Sequence, residues 1–125
     1  MRELAFTPVI FDNMVAYSHG VNETGYYQLV SLILKAANAV VRNITVEKQN
    51  VLVHCSDGWD RTPQMCALSQ ILMHPHYRTV RGFCELVDKD WVQFGHKFHE
   101  RNGAYVSKRT SQESPIFIQF LDCCH

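Results

Sequence analysis

Apolar residues recur at helical spacing in several stretches of this chain. Across residues 26–44 they fall at Leu29, Val30, Ile33, Ala37, Val40, Val41 and Ile44, the one-sided stripe of an amphipathic helix. Across residues 62–73 a second stripe turns Met65, Ala67, Leu68 and Leu72 inward, and His74-Pro75 ends it, because proline cannot donate the next helical hydrogen bond. Residues 79–87 read as a third helix burying Val80, Phe83, Leu86 and Val87, and residues 91–99 as a short helical or turn segment. A last helix opens at Ser114-Pro115, a capping residue followed by proline at the first helical position, and buries Phe117, Phe120 and Leu121. Residues 4–17 show no clean period, although Val9-Ile10-Phe11 suits a short strand. The segment 18–25, with two glycines, reads as a loop; 43–50 and 102–113 read as a polar turn and a polar loop. Val51-Leu52-Val53 is the one convincing strand, and no internal repeat is present.

Directly after that strand comes His54-Cys55-Ser56-Asp57-Gly58-Trp59-Asp60-Arg61-Thr62. A cysteine and an arginine six positions apart, between a strand and a helix start, suit the capture of a phosphate and its attack by sulfur. Five backbone N–H groups between Cys55 and Arg61 can curl into an anion-binding nest. The following helix turns its positive end to the same point. Arg61 can grip two phosphate oxygens at once, which lysine cannot. A free cysteine has a pKa of about 8.5, and a helix N-terminus with a nearby cation lowers it toward the thiolate that attacks phosphorus. Cys55 is therefore the candidate nucleophile. His54 reads as structural, and Ser56 as a hydrogen-bond donor to the sulfur or an aid to hydrolysis of the phosphocysteine.

The carboxylates in this loop need a reason, because a phosphate site is built of donors. A carboxyl group beside a phosphate is driven toward its protonated form. A protonated Asp60 can hand its proton to the leaving alkoxide and then act as base on water. Asp57 can accept hydrogen bonds from the hydroxyls of a polyol substrate. The plainer alternative is that either carboxylate only ties the loop to Arg61 or to backbone N–H groups. Trp59 stands at the mouth, either packing the loop or touching substrate.

The run from Cys55 to Thr62, with the strand before it, resembles the signature of the myotubularin phosphatases, a branch of the cysteine-dependent phosphatases. The likeness continues through Tyr77 to Phe83, Asp88-Lys89-Asp90-Trp91, Phe94-Gly95-His96-Lys97-Phe98, Arg101, Ser114-Pro115-Ile116-Phe117 and Gln119 to Cys123, in family order, over about residues 28–123. It implies removal of the 3-phosphate from phosphatidylinositol 3-phosphate and phosphatidylinositol 3,5-bisphosphate, with Cys55 as nucleophile, Arg61 as phosphate-binding arginine and Asp60 as general acid. It places Ser56, Asp57, Gly58, Trp59, Lys97 and Arg101 against substrate, the last two on a second ring phosphate. The fold class that follows is α/β: a fragment of a cysteine-dependent phosphatase fold, mostly helical, with a central strand leading into the phosphate loop. Residues 1–25 align with nothing in the family and stay unassigned, and 26–125 read as the C-terminal part of a truncated phosphatase domain. Departures are Tyr26 in place of tryptophan, Pro63 in place of a small residue, and His76 in place of an aromatic one.

Composition narrows the partners. The 125 residues are 46% hydrophobic and 19% charged with zero formal net charge, so no bulk basic field argues for nucleic acid. No apolar run reaches the ~18 residues of a membrane span, and no signal peptide is visible. Five unevenly spaced cysteines make no disulfide framework, and a thiolate nucleophile needs a reducing compartment. Cytoplasm follows, with the resemblance adding peripheral attachment to endosomal membranes and association with itself or related phosphatases. No metal or cofactor is expected; His74-x-His76 and Cys123-Cys124-His125 lack zinc spacing. Two rivals remain: a protein tyrosine or dual-specificity phosphatase, which shares the bare Cys-x5-Arg pattern, and a non-catalytic fragment, suggested by a sheet with one strand.

Overall fold

The computed structural model describes residues 14–103 and 112–125, with side chains from residue 19 onward. Six α-helices carry the described residues: α1 (Met14–Glu23), α2 (Tyr26–Thr45), α3 (Arg61–Met73), α4 (Val80–Val87), α5 (Phe98–Asn102) and α6 (Ile116–Cys124). Gly25, at φ 75°, breaks the chain between α1 and α2. That left-handed conformation favours glycine, whereas Gly20 lies inside α1 and is tolerated there. The loop expected at 18–25 is thus mostly helix, because only one of its two glycines is used as a breaker. The short strand expected at Val9-Ile10-Phe11, and most of the polar loop at 102–113, lie outside the described residues.

α3 is the central helix. It packs against α2 on one side and α6 on another, and it buries Pro63, Gln64, Ala67, Leu68 and Ser69. Its polar buried groups are paired: Gln64 Nε2 donates to Gln119 Oε1 of α6 at 3.2 Å, and the Ser69 hydroxyl donates to the Met65 carbonyl at 2.8 Å. The core gathers Ile33 and Ala37 of α2, Ala67 and Leu68 of α3, Leu86 of α4, Trp91 and Phe120. Complete burial of a side chain such as Leu86 or Phe120 contributes roughly 1.5–3 kcal/mol. Phe83 stacks on Phe120 with ring centres 5.9 Å apart. The helical periodicity located these stripes, but not every member: Leu29, Leu72 and Val80 face solvent, Val80 at 85% exposure.

α4 shows how local chemistry fixes an element. The Thr79 hydroxyl accepts from Gly82 N at 3.0 Å and caps the helix. A 3-10 turn at Pro75–Arg78 brings the His76 carbonyl directly over Gly82, where a Cβ would lie 2.0 Å from that oxygen. Gly82→Ala should therefore destabilise the fold by about 2 kcal/mol or more, since backbone must move to admit the methyl. Thermal unfolding checks this; an unchanged midpoint would contradict the packing. α4 then runs into a π-helical turn at Asp88–Val92, whose wider winding turns Asp90 and Trp91 inward. The N-cap of α6 is Pro115 rather than Ser114, one residue later than the sequence suggested.

Residues 51–55 run without a partner strand among the described residues, and Leu52 is 87% exposed. The central strand expected at Val51-Leu52-Val53 is not formed there, because a strand exists only through a neighbour to hydrogen-bond with. The described fold is mostly helical.

Candidate active site

The loop from Cys55 to Asp60 ends at the N-terminus of α3, where Arg61 and Thr62 are the first two helical residues. Gly58 adopts φ 90°, a conformation that turns its amide back toward the sulfur. Gly58 N donates to Cys55 Sγ at 3.3 Å, and the Thr62 hydroxyl donates to the same sulfur at 3.1 Å. Burial pushes the Cys55 thiol up, but the Thr62 hydroxyl and the amides of Gly58, Thr62 and Asp57 outweigh it and bring the pKa down to about 7. Burial pushes Cys66, Cys123 and Cys124 the other way. Cys55 is the cysteine prepared as a thiolate.

The pH dependence has a definite sign. Cys55 gains its reactive form as pH rises through about 7 and loses it below. Its folded pKa lies below the unfolded value, so its contribution to stability is full above the unfolded pKa and is lost as pH falls through about 7. Alkylation by iodoacetamide at neutral pH should label Cys55 ahead of Cys66, Cys123 and Cys124. Thr62→Val removes the strongest donor to sulfur and should slow that labelling roughly fivefold or more. An unaltered rate would show that the hydroxyl does not hold the thiolate.

The rest of the expected site falls into two groups. Ser56, Asp57 and Arg61 gather on the exposed side: Arg61 Nη2 donates to Ser56 Oγ at 3.0 Å, and the Ser56 hydroxyl donates to Asp57 Oδ2 at 3.1 Å. Ser56 thus bonds Arg61 and Asp57 rather than the sulfur. Asp60, Trp59, Lys97 and Arg101 gather on the inner side. Arg101 is buried; its Nε donates to Asp60 Oδ2 at 3.0 Å and its Nη1 donates to the Gln112 carbonyl at 3.2 Å. Lys97 is half-exposed, lies 5.2 Å over the Trp59 ring and pairs with Glu100 at 3.4 Å. Asp60 is the N-cap of α3, yet its side chain makes no cap bond. Arg101 draws the carboxylate away from the helix amides. The Asp60 carboxylate is therefore tied to Arg101, not to Arg61 or the helix amides. Pro63, the third residue of α3, fits because an N–H at that position has no intrahelical partner.

Two residues at this site had no assigned role in the sequence. Thr62 reads in the sequence only as a helix start, yet its hydroxyl, seven positions after the nucleophile, reaches back from the first turn of α3 to the sulfur. His96 is fully buried with Nδ1 2.8 Å from the Trp59 carbonyl and 2.9 Å from Asp60 Oδ1. Nothing local signals this contact, since 36 residues separate His96 from Asp60.

Comparison with known proteins gives a consistent picture. The chain matches the myotubularin-like phosphatase domain family over residues 4–125, reaching further toward the N-terminus than the motifs at 28–123. It is similar to phosphatidylinositol-3,5-bisphosphate 3-phosphatase MTMR6 of Homo sapiens, 46% identical over 104 residues, covering 83% of this chain and 17% of that protein. It is similar to phosphatidylinositol-3,5-bisphosphate 3-phosphatase MTMR4 of Xenopus laevis, 47% identical over 106 residues, covering 84% and 10%. Phosphatidylinositol-3-phosphate phosphatase MTMR7 of Pongo abelii is 40% identical over 111 residues, covering 89% and 17%. The chain spans less than a fifth of the length of these relatives.

Proposed function

This chain belongs to the myotubularin-like phosphatase family, and from that premise we propose that it carries the phosphate-cleaving centre of a phosphoinositide 3-phosphatase. The observation that carries the reading is Cys55 Sγ, held by the Thr62 hydroxyl and the Gly58 amide at the N-terminus of α3, with Arg61 closing the loop. The relatives' names supply the substrate class, the 3-phosphate of phosphatidylinositol 3-phosphate and phosphatidylinositol 3,5-bisphosphate.

The Cys55 thiolate attacks phosphorus, forming a P–S bond as the bond to the inositol oxygen breaks. Asp60 gives its proton to that oxygen. Arg61 and the loop amides hold the transferring phosphoryl oxygens, where charge is spread in the transition state. Water then attacks the phosphocysteine with Asp60 accepting its proton. The P–S bond breaks, inorganic phosphate leaves and the thiolate is restored. Asp57 and Trp59 face the inositol ring, and Lys97 forms the basic side of the headgroup site with buried Arg101 behind it holding Asp60. In the whole catalytic domain, segment 51–55 is the strand that feeds this loop; the exposed Val51 and Leu52 side chains support that reading. The protein works in the cytoplasm at the surface of endosomal membranes, alone or with a related phosphatase chain.

The test is substrate choice. The chain should release phosphate from short-chain phosphatidylinositol 3-phosphate and not from a phosphotyrosine peptide. Preference for the peptide would assign it to the tyrosine phosphatases instead, and no release from either would overturn the reading.

A further inference from the structure

We infer that His96 is the positioning residue for Asp60, acting through its Nδ1–H; this rests on the reading of Asp60 as the acid in a phosphoinositide phosphatase. The ring is fully buried and its edges are set by packing. It lies edge-on to Trp91 with centres 4.8 Å apart at 89°, and edge-on to Phe98 at 4.6 Å and 88°. The backbone N–H of His96 donates to the Trp91 carbonyl at 2.9 Å, so the π turn and the histidine are one unit. A ring held this way has little freedom to rotate.

The tautomer follows from its neighbours. The Trp59 carbonyl, 2.8 Å from Nδ1, can only accept, so Nδ1 carries the proton. Nε2 is buried without a hydrogen-bond partner among the described residues, so a proton there would have no acceptor. The single Nδ1 proton points to the Trp59 carbonyl. Asp60 Oδ1 sits 2.9 Å from the same nitrogen but off the line of that proton, and it too is buried without a hydrogen bond. Arg101 holds the other oxygen, Oδ2, at 3.0 Å. The two oxygens of Asp60 are therefore distinguished. Oδ2 is anchored by the Arg101 guanidinium, whereas Oδ1 meets only the flank of the His96 N–H dipole. His96 fixes the backbone at Trp59, immediately before Asp60, and walls the Oδ1 side of its carboxylate.

The test exploits leaving groups. Releasing an inositol oxygen needs a proton from the acid, whereas releasing para-nitrophenolate needs almost none. His96→Leu in the full chain should lower release from short-chain phosphatidylinositol 3-phosphate roughly 10- to 100-fold and release from para-nitrophenyl phosphate by less than about threefold. His96→Asn, which can place an N–H near the Nδ1 position, should recover most of the lipid activity. A merely structural histidine would slow both substrates alike. Equal slowing, an unchanged lipid rate, or a lipid-specific loss that asparagine does not recover would overturn the inference. Cys55-independent release, or none from either substrate in the unmutated chain, would overturn the underlying reading and the inference with it. Where a variant fails to unfold cooperatively, the ring of His96 in the unmutated chain decides. Nitrogen-15 spectra should show an exchange-protected Nδ1–H, and an Nε2–H tautomer would overturn the assignment.

Discussion

Cys55→Ser should abolish phosphate release while leaving the loop folded. Serine replaces sulfur by oxygen and can still accept from the Gly58 amide and the Thr62 hydroxyl, which stand 3.3 and 3.1 Å from Sγ. What it loses is ionisation. The thiol is brought to about 7, against burial, by those same donors, whereas a hydroxyl stays protonated at neutral pH. Loss of the nucleophile should cost at least about 10³-fold in turnover. Phosphate release measures turnover, and calorimetry with short-chain phosphatidylinositol 3-phosphate measures binding. Binding should persist, because the loop amides and Arg61 are untouched. Residual turnover within tenfold of the unmutated chain would remove Cys55 from the chemistry.

Arg61→Lys should produce the second largest loss with hardly any change in stability. The guanidinium is exposed, and among the described residues it is tied to the loop by one bond, Nη2 to Ser56 Oγ at 3.0 Å. An exposed substitution of this kind usually alters stability by no more than about 0.5 kcal/mol. Catalysis is different. Lysine keeps the charge but cannot span two phosphoryl oxygens, so turnover should fall roughly 10²–10³-fold. Paired thermal unfolding and rate measurements separate the two effects. A drop in both would mean that Arg61 holds the loop rather than the phosphate.

The difference between Arg61 and Arg101 explains what could be read in the sequence. Cys55 and Arg61 are six positions apart and separated by one glycine-containing turn, so local chemistry fixes their relation. The helices around them were equally legible. α2 begins at Tyr26 and α3 ends at Met73, where periodicity and the His74-Pro75 break put them. Arg101 carries the same charge but lies 41 residues from Asp60 and pairs with it only because the π turn, α5 and the chain entering α6 bring it there. No spacing rule signals that. The same holds for His96, whose value depends on Trp91 and Phe98 gripping its ring. The glycines misled in one place, since Gly20 and Gly25 look alike in sequence and only Gly25 takes a left-handed conformation. The apolar run Val51-Leu52-Val53 suits a strand, but a strand is a property of two segments and no partner is present among the described residues.

These features share one physical theme. The loop is held by its edges rather than by its anion-binding face. Arg101 and His96 secure Asp60 from within, and Thr62 and Gly58 secure the sulfur from the helix side. The amides of Gly58, Thr62 and Asp57 point to the sulfur, and dipoles fixed in this way are the kind that stabilise a transition state most strongly.

The most direct measurement is to mix the chain with short-chain phosphatidylinositol 3-phosphate, quench in acid within the first turnover, and determine the mass and position of any adduct. The expected result is one phosphoryl group on Cys55, absent from Cys55→Ser and longer-lived in an Asp60→Asn variant that cannot activate water. Phosphate release without an adduct on Cys55, or an adduct on another residue, would contradict the account.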